Sequence, residues 1–204
     1  MSRKEFPQAM NFFTSVLHLS FSDFDLMRAQ DLELGFADAF EPENEAVIEY
    51  LSGMMTNFLG IQRFFPADKN YGRLETITER LLAQDRTPQN LLHQDVGNFA
   101  LFTIGMFPEY LKERGMTSFY EEIGTASYRS LHKSALAGSS MPSAATLYWM
   151  LAENFSIYAI TITNARDKYM HFEKKGGKFM ISPVYERSRT KGILRGDGAV
   201  DWLM

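Results

Sequence analysis

The sequence predicts an all-α fold: a single-domain helical bundle of about six to eight helices with an extended basic C-terminal tail. Three observations carry this. Apolar residues recur at helical spacing through residues 1–172. Start and stop signals punctuate those runs at intervals a compact bundle needs. Beyond residue 172 the period disappears and the sign of the charge changes. A chain of 204 residues is also the right length for one well-buried domain.

Met10, Phe13 and Leu17 mark a first helix, and "SDFDLMRAQDLELG" reads as a second, with Ser22 as N-cap and Gly35 as stop. "PENEAVIEYLSGMMTNFLGIQRFF" opens on Pro42 and acids that suit a helix N-terminus. Its Val47, Leu51, Met54, Phe58, Ile61 and Phe65 form one apolar stripe. After the turn "PADKNYG", Leu74, Ile77 and Leu81 give a short amphipathic helix. Thr87 and Pro88 are expected as N-cap and first residue of the next helix, which ends before Pro108 because the residue preceding proline disfavours helix. "PEYLKERG" adds a turn or two closed by Gly115. A helix capped by Thr117 or Ser118 then runs to Gly138, and a last long helix runs from near Ser143 to about Tyr169.

Residues 1–172 are therefore read as the helical domain and 173–204 as a basic extension, extended or hairpin in form. Residues 173–195 hold seven Lys/Arg and two Glu, a net +5, which leaves −9 for the rest of a chain whose total is −4. The extension ends in the apolar "VDWLM". With 45% hydrophobic and 23% charged residues the composition is that of a globular protein, and the small net charge gives no case for nucleic acid. The chain contains no cysteine, which removes disulfides and thiolate chemistry. "MSRKEFPQAM" lacks an apolar h-region, so a secretory signal is not expected and a cytoplasmic location is the default. "AATLYWMLAENFSIYAITIT" has the length of a bilayer span, about 20 residues. Glu153 and Asn154 at its centre would each be penalised in hydrocarbon, and it is read as a buried central helix.

The unusual polar residues lie in two apolar helices. On a helical wheel Leu91, Asp95, Asn98, Phe102 and Met106 share one side with Phe99 alongside, while Ala100 and Ile104 take the other. A helix apolar nearly all round lies inside other helices, so Asp95 is expected off the solvated face. Glu153, with Asn154 beside it, is the sole charge between residues 143 and 165. A buried carboxylate needs a partner or a proton. Asp95, Asn98, Glu153 and Asn154 are therefore the candidate polar site. It is either a structural network satisfied by Arg63, Arg129, His93 or Tyr128, or a ligand or catalytic pocket.

Metal motifs are absent from the sequence. The residues three before His18, His93, His132 and His171 are Ser15, Asn90, Arg129 and Lys168, so no Glu-x-x-His pair exists. There is no His-Glu-x-x-His and no phosphate loop, and "SYRS" lacks the strained elbow of a serine nucleophile. The sequence identifies no catalytic residue, and no metal or cofactor is expected. Gly97, Gly105, Gly124, Ser127, Ser130, Ser134 and Ala135 are small positions that admit close helix packing or leave room for a ligand.

The run "DVGNFALFTIGMFPEYL" followed by "FYEEIGTASYRSL" resembles a family of uncharacterised bacterial all-helical proteins. Asp95, Leu101, Phe102, Gly105, Phe107, Pro108 and Glu109 match its first pattern, and Gly124, Ala126 and Tyr128 its second. The resemblance implies a helical fold and a bacterial cytoplasmic origin, and no activity. Two functions compete. One is a non-enzymatic interaction or assembly protein, docking onto another chain or a second copy. Its contact residues are Lys174, Lys175, Lys178, Arg187, Arg189 and Arg195, with Trp202 and Leu203 as apolar anchors. The other is a small-molecule-binding or enzymatic bundle, haem-oxygenase-like in size, built around the carboxylate pocket, with His18 as the histidine a haem would require.

Overall fold

The computed structural model describes residues 5–32, 43–58, 88–138, 142–175, 178–183 and 202–203. Side-chain positions are described for 9–22, 45–58, 88–138 and 142–170. Among these are seven helices: α1 (Glu5–Leu32), α2 (Glu43–Phe58), α3 (Gln89–Met106), α4 (Pro108–Glu113), α5 (Thr117–Ala137), α6 (Pro142–Glu153) and α7 (Phe155–Tyr169). The chain is an all-α bundle, as its apolar periodicity requires. The expected helix over Leu74–Leu81, the continuation of α2 through Ile61 and Phe65, and Arg63 lie outside the described residues.

α3 is the axis of the bundle. From Val96 to Met106 nearly every residue is buried, because α5, α7 and α2 take up its apolar sides. Phe99 sits against Tyr120 and Phe58, with ring centroids 6.3 and 6.4 Å apart. Side chains of this size, fully buried, each contribute about 1.5–3 kcal/mol relative to exposure. Three glycines set the helix spacing. A Cβ on Gly97 would lie 3.1 Å from the Tyr128 ring, one on Gly105 2.5 Å from Ile162, and one on Gly124 2.5 Å from Phe155. Gly97, Gly105 and Gly124 thus serve close packing.

Two helix boundaries differ from those read in the sequence. α1 is continuous across Ser22, whose hydroxyl donates to the His18 carbonyl at 2.9 Å instead of capping a new helix. A serine can satisfy itself on the carbonyl four residues back, so it does not force a start there. The expected helix from Ser143 to Tyr169 is broken at Asn154, which adopts φ −111° and ψ 25°. The Asn154 side-chain amide donates to the Met150 carbonyl at 3.4 Å, competing with the backbone there. The caps are also plainer than expected. Pro88 is itself the N-cap of α3 and Met116 that of α5, neither with a side-chain hydrogen bond. Gly115 closes α4 with φ 63°. No described helix is long and apolar enough to cross a membrane.

The extension is strand where it is described. β1 (Met170–Lys175) leaves α7 directly and pairs antiparallel with β2 (Lys178–Pro183), and β3 (Trp202–Leu203) pairs with β2. Strand therefore begins three residues before the expected boundary at Glu173. Tyr169 is the last helical residue, and Met170 is already extended at φ −121° and ψ 134°.

Candidate functional site

α2 packs extensively along α1 but meets α3 and α6 at only a few positions, and between these helices lies a cleft of about 610 Å³. Its apolar walls come from Met10, Met54 and Leu147, and its polar side from Tyr50, Gln94 and Asn98. Two tyrosines converge on one amide there. Tyr50 Oη donates to Asn98 Oδ1 at 2.7 Å, and Tyr128 Oη donates to the same oxygen at 2.8 Å. Both lone pairs of that carbonyl are then occupied, which fixes the orientation of the amide.

The fold makes this convergence. Gly97 lets α3 lie against the Tyr128 ring, one residue before Asn98. Tyr50 stands edge-on to both Tyr128 and Tyr148, with centroids 6.5 and 6.3 Å apart at 72° and 90°. Tyr128 is fully buried, so its hydroxyl needs an acceptor within the protein, and Asn98 is that acceptor. Burial pushes the Tyr50, Tyr128 and Tyr148 hydroxyls above the ordinary tyrosine range, and Tyr158 up to about 12. The cluster is therefore a set of neutral donors at any physiological pH.

The four expected site residues do not come together. Asn98 is the hub just described. Asp95, one turn before it, is half-buried and has an interaction of its own. Glu153 is not buried: its side chain is 44% exposed and pairs with Arg129 at 3.2 Å on the surface. The break at Asn154 accounts for this, because the last residue of α6 need not follow the buried face that α7 resumes at Phe155. Asn154 serves the break itself, and its backbone carbonyl accepts the Tyr158 N–H at 3.0 Å. Of the partners expected for these groups, Arg129 is taken by Glu153 and Tyr128 by Asn98.

A second polar assembly was not legible at all. Arg166, 13% exposed, forms a two-toothed pair with Glu109 at 2.8 Å on each arm. It also donates to the Met106 carbonyl at 3.0 Å and to Asp167 at 2.7 Å. One side chain thereby satisfies the end of α3 and anchors the start of α4. The Arg166 hydrogen bonds hold the Glu109 carboxyl at about 2. This assembly joins α3, α4 and α7. Gly105, Glu109, Gly124 and Tyr128 all act in junctions between helices.

Of the expected partner-binding residues, Lys174 and Lys175 lie in β1 and Lys178 in β2, with Lys175 directly opposite Lys178. Trp202 and Leu203 pair through their backbone with Ile181 and Met180. Arg187, Arg189 and Arg195 lie outside the described residues. Among the described residues no three His, Asp or Glu side chains gather as a metal site would need. The signal that sequence reading missed is Tyr50, a hydroxyl-bearing ring three residues after Val47 and four before Met54, within the apolar stripe of α2. No family model, curated protein or solved structure matches the chain.

Proposed function

We propose that the protein binds a small uncharged organic molecule in the cleft between α2, α3 and α6. One observation carries this reading. The Asn98 amide, locked by tyrosyl hydroxyls at 2.7 and 2.8 Å, forms part of the wall of a concavity of about 610 Å³ that is otherwise largely apolar. Binding sites for small molecules have this make-up: a mostly apolar hollow and a few polar groups held in place before the ligand arrives. The tyrosines stay neutral and Asn98 has no acid–base chemistry, so the arrangement favours binding over conversion. The test is saturation-transfer NMR on the full chain with a library of small neutral compounds, repeated on Ala46→Trp, which places a large ring at the cleft rim. Hits that persist unchanged in Ala46→Trp, or no hits at all, would remove the reading.

The register of the C-terminal strands favours a second role, docking of the extension on an acidic protein surface. Like charges at paired positions weaken a sheet, yet the register pairs Lys175 with Lys178, and Lys174 precedes Lys175 in β1. Lysine on an edge strand also discourages edge-to-edge association, and the two roles separate experimentally. Replacing Lys174, Lys175 and Lys178 with glutamate should abolish a complex recovered from native lysate while light scattering shows an unchanged oligomeric state. Self-association of the variant, with the same partners retained, would assign the lysines to protection instead.

A further inference from the structure

α5 turns one face to solvent, and a shallow groove of about 600 Å³ runs along it. Among the described residues its lining comes from this helix alone, with Thr125 and Ala126 at the middle. The charges are segregated. Glu121 and Glu122 lie on the N-terminal side of that middle, Arg129 and Lys133 on the C-terminal side. The helix macrodipole favours such an order only in the first and last turns, and Glu122 and Arg129 lie further in. Arg129 stands seven residues after Glu122, too far for the two to pair along the helix. Glu122 and Lys133 have no hydrogen-bond or ion-pair partner among the described residues. Arg129 touches Glu153 through one terminal nitrogen, which leaves further N–H donors on the guanidinium.

We propose that this face of α5 is a self-complementary docking surface for a second copy of the chain, forming an antiparallel two-fold dimer. The lining is symmetric in the way such a dimer requires. Glu122 and Arg129 stand equally far from the Thr125–Ala126 peptide on either side, as do Ser118 and Lys133, and Glu121 and Ser130. A second α5 laid antiparallel on this face sets Glu122 of each copy against the partner's Arg129, with Lys133 one turn further on. A parallel arrangement would oppose like charges instead. Thr125 and Ala126 fall at the centre, where small side chains let two helices approach. The neighbouring helices add apolar area on one flank. Glu153, four residues after Trp149, reaches Arg129, and Ser156, four before Ile160, donates to Glu121. One-turn spacing puts Trp149 and Ile160 on those same sides of α6 and α7, where they are 51% and 49% exposed. A covered tryptophan is among the side chains that contribute most to protein interfaces.

The test is sedimentation equilibrium of the full chain over a wide concentration range, with circular dichroism to show that each variant is folded. The wild type should show a monomer–dimer equilibrium that weakens with salt, because the contacts between Glu122 and Arg129 are screened. Ala126→Arg, at an exposed central position, should fold and stay monomeric. Glu122→Arg and Arg129→Glu each create two like-charge contacts and should weaken the dimer by about tenfold or more. Mixed together, these two variants restore both opposite-charge pairs across a heterodimer, so the mixture should associate where neither does alone. Arg129→Glu also loses the surface contact with Glu153, but the mixture carries that loss too, so it cannot account for the recovery. A wild type that stays monomeric throughout overturns the proposal, as does a dimer that survives Ala126→Arg. A mixture no stronger than the single variants refutes the antiparallel pairing.

Discussion

Replacing Gly105 by alanine should destabilise the protein, although helix propensity alone says the opposite. In an unobstructed helix the change gains about 1 kcal/mol. Here the new methyl would lie 2.5 Å from Ile162 Cγ2 and 2.6 Å from its Cβ, with the Ala159 carbonyl at 3.3 Å. Ordinary carbon–carbon contact is about 3.5–4.0 Å, so roughly 1 Å of separation must be found. Ile162 is fully buried and its Cβ is fixed to the backbone, so no rotamer change supplies that space. α3 and α7 have to part, which also stretches the 3.0 Å bonds from Thr163 to the Gly105 carbonyl and from Arg166 to the Met106 carbonyl. Overpacking of this kind costs about 1–3 kcal/mol, and the overlap here places it at the upper end. The expected net loss is about 1–2 kcal/mol, or a fall in Tm of about 2–8 °C. Urea denaturation of wild type, Gly105→Ala and Gly53→Ala measures it, with the m-value as the check that only stability has changed. The two alanines should move the midpoint in opposite directions. A Gly105→Ala midpoint at or above the wild type would refute the packing argument.

Asn98→Leu strands the hydroxyls of Tyr50 and Tyr128 and should cost about 2–4 kcal/mol, most of it recovered when both tyrosines are also changed to phenylalanine; additive losses in that triple variant would contradict the network. Ser20→Ala should stabilise by about 1 kcal/mol, because the fully buried Ser20 hydroxyl has no hydrogen-bond partner among the described residues, and calorimetry showing a lower Tm would disprove this. Glu109 should titrate near 2 by carboxyl NMR and return to the ordinary range in Arg166→Met. Since its folded value is depressed, its contribution is present above about pH 4.5 and is lost as pH falls toward 2. The carboxylate is 67% exposed, so that contribution is about 0–1 kcal/mol and shrinks in high salt.

The helical class was determined along the chain, because an apolar side chain every three or four residues shows itself within a single element. The stripe from Val47 to Phe58, the stop at Gly115 and the loss of period near residue 172 are all of this kind. The deep burial of α3 was legible for the same reason, and with it the expectation of a polar site on that helix, argued from Asp95 and including Asn98. What satisfies it was not. Tyr50 and Tyr128 stand 48 and 30 residues from Asn98, and Arg166 is 57 from Glu109; a side-chain bond leaves no local periodicity to read. Glu153 shows the converse. Its apolar surroundings in the sequence implied burial, but one break at Asn154 turned the end of α6 to the surface and gave the carboxylate to Arg129. Gly53 and Gly105 are indistinguishable as letters within helical runs. Only the neighbouring helix decides that a methyl fits at one and collides at the other, because steric space belongs to pairs of elements and not to either alone.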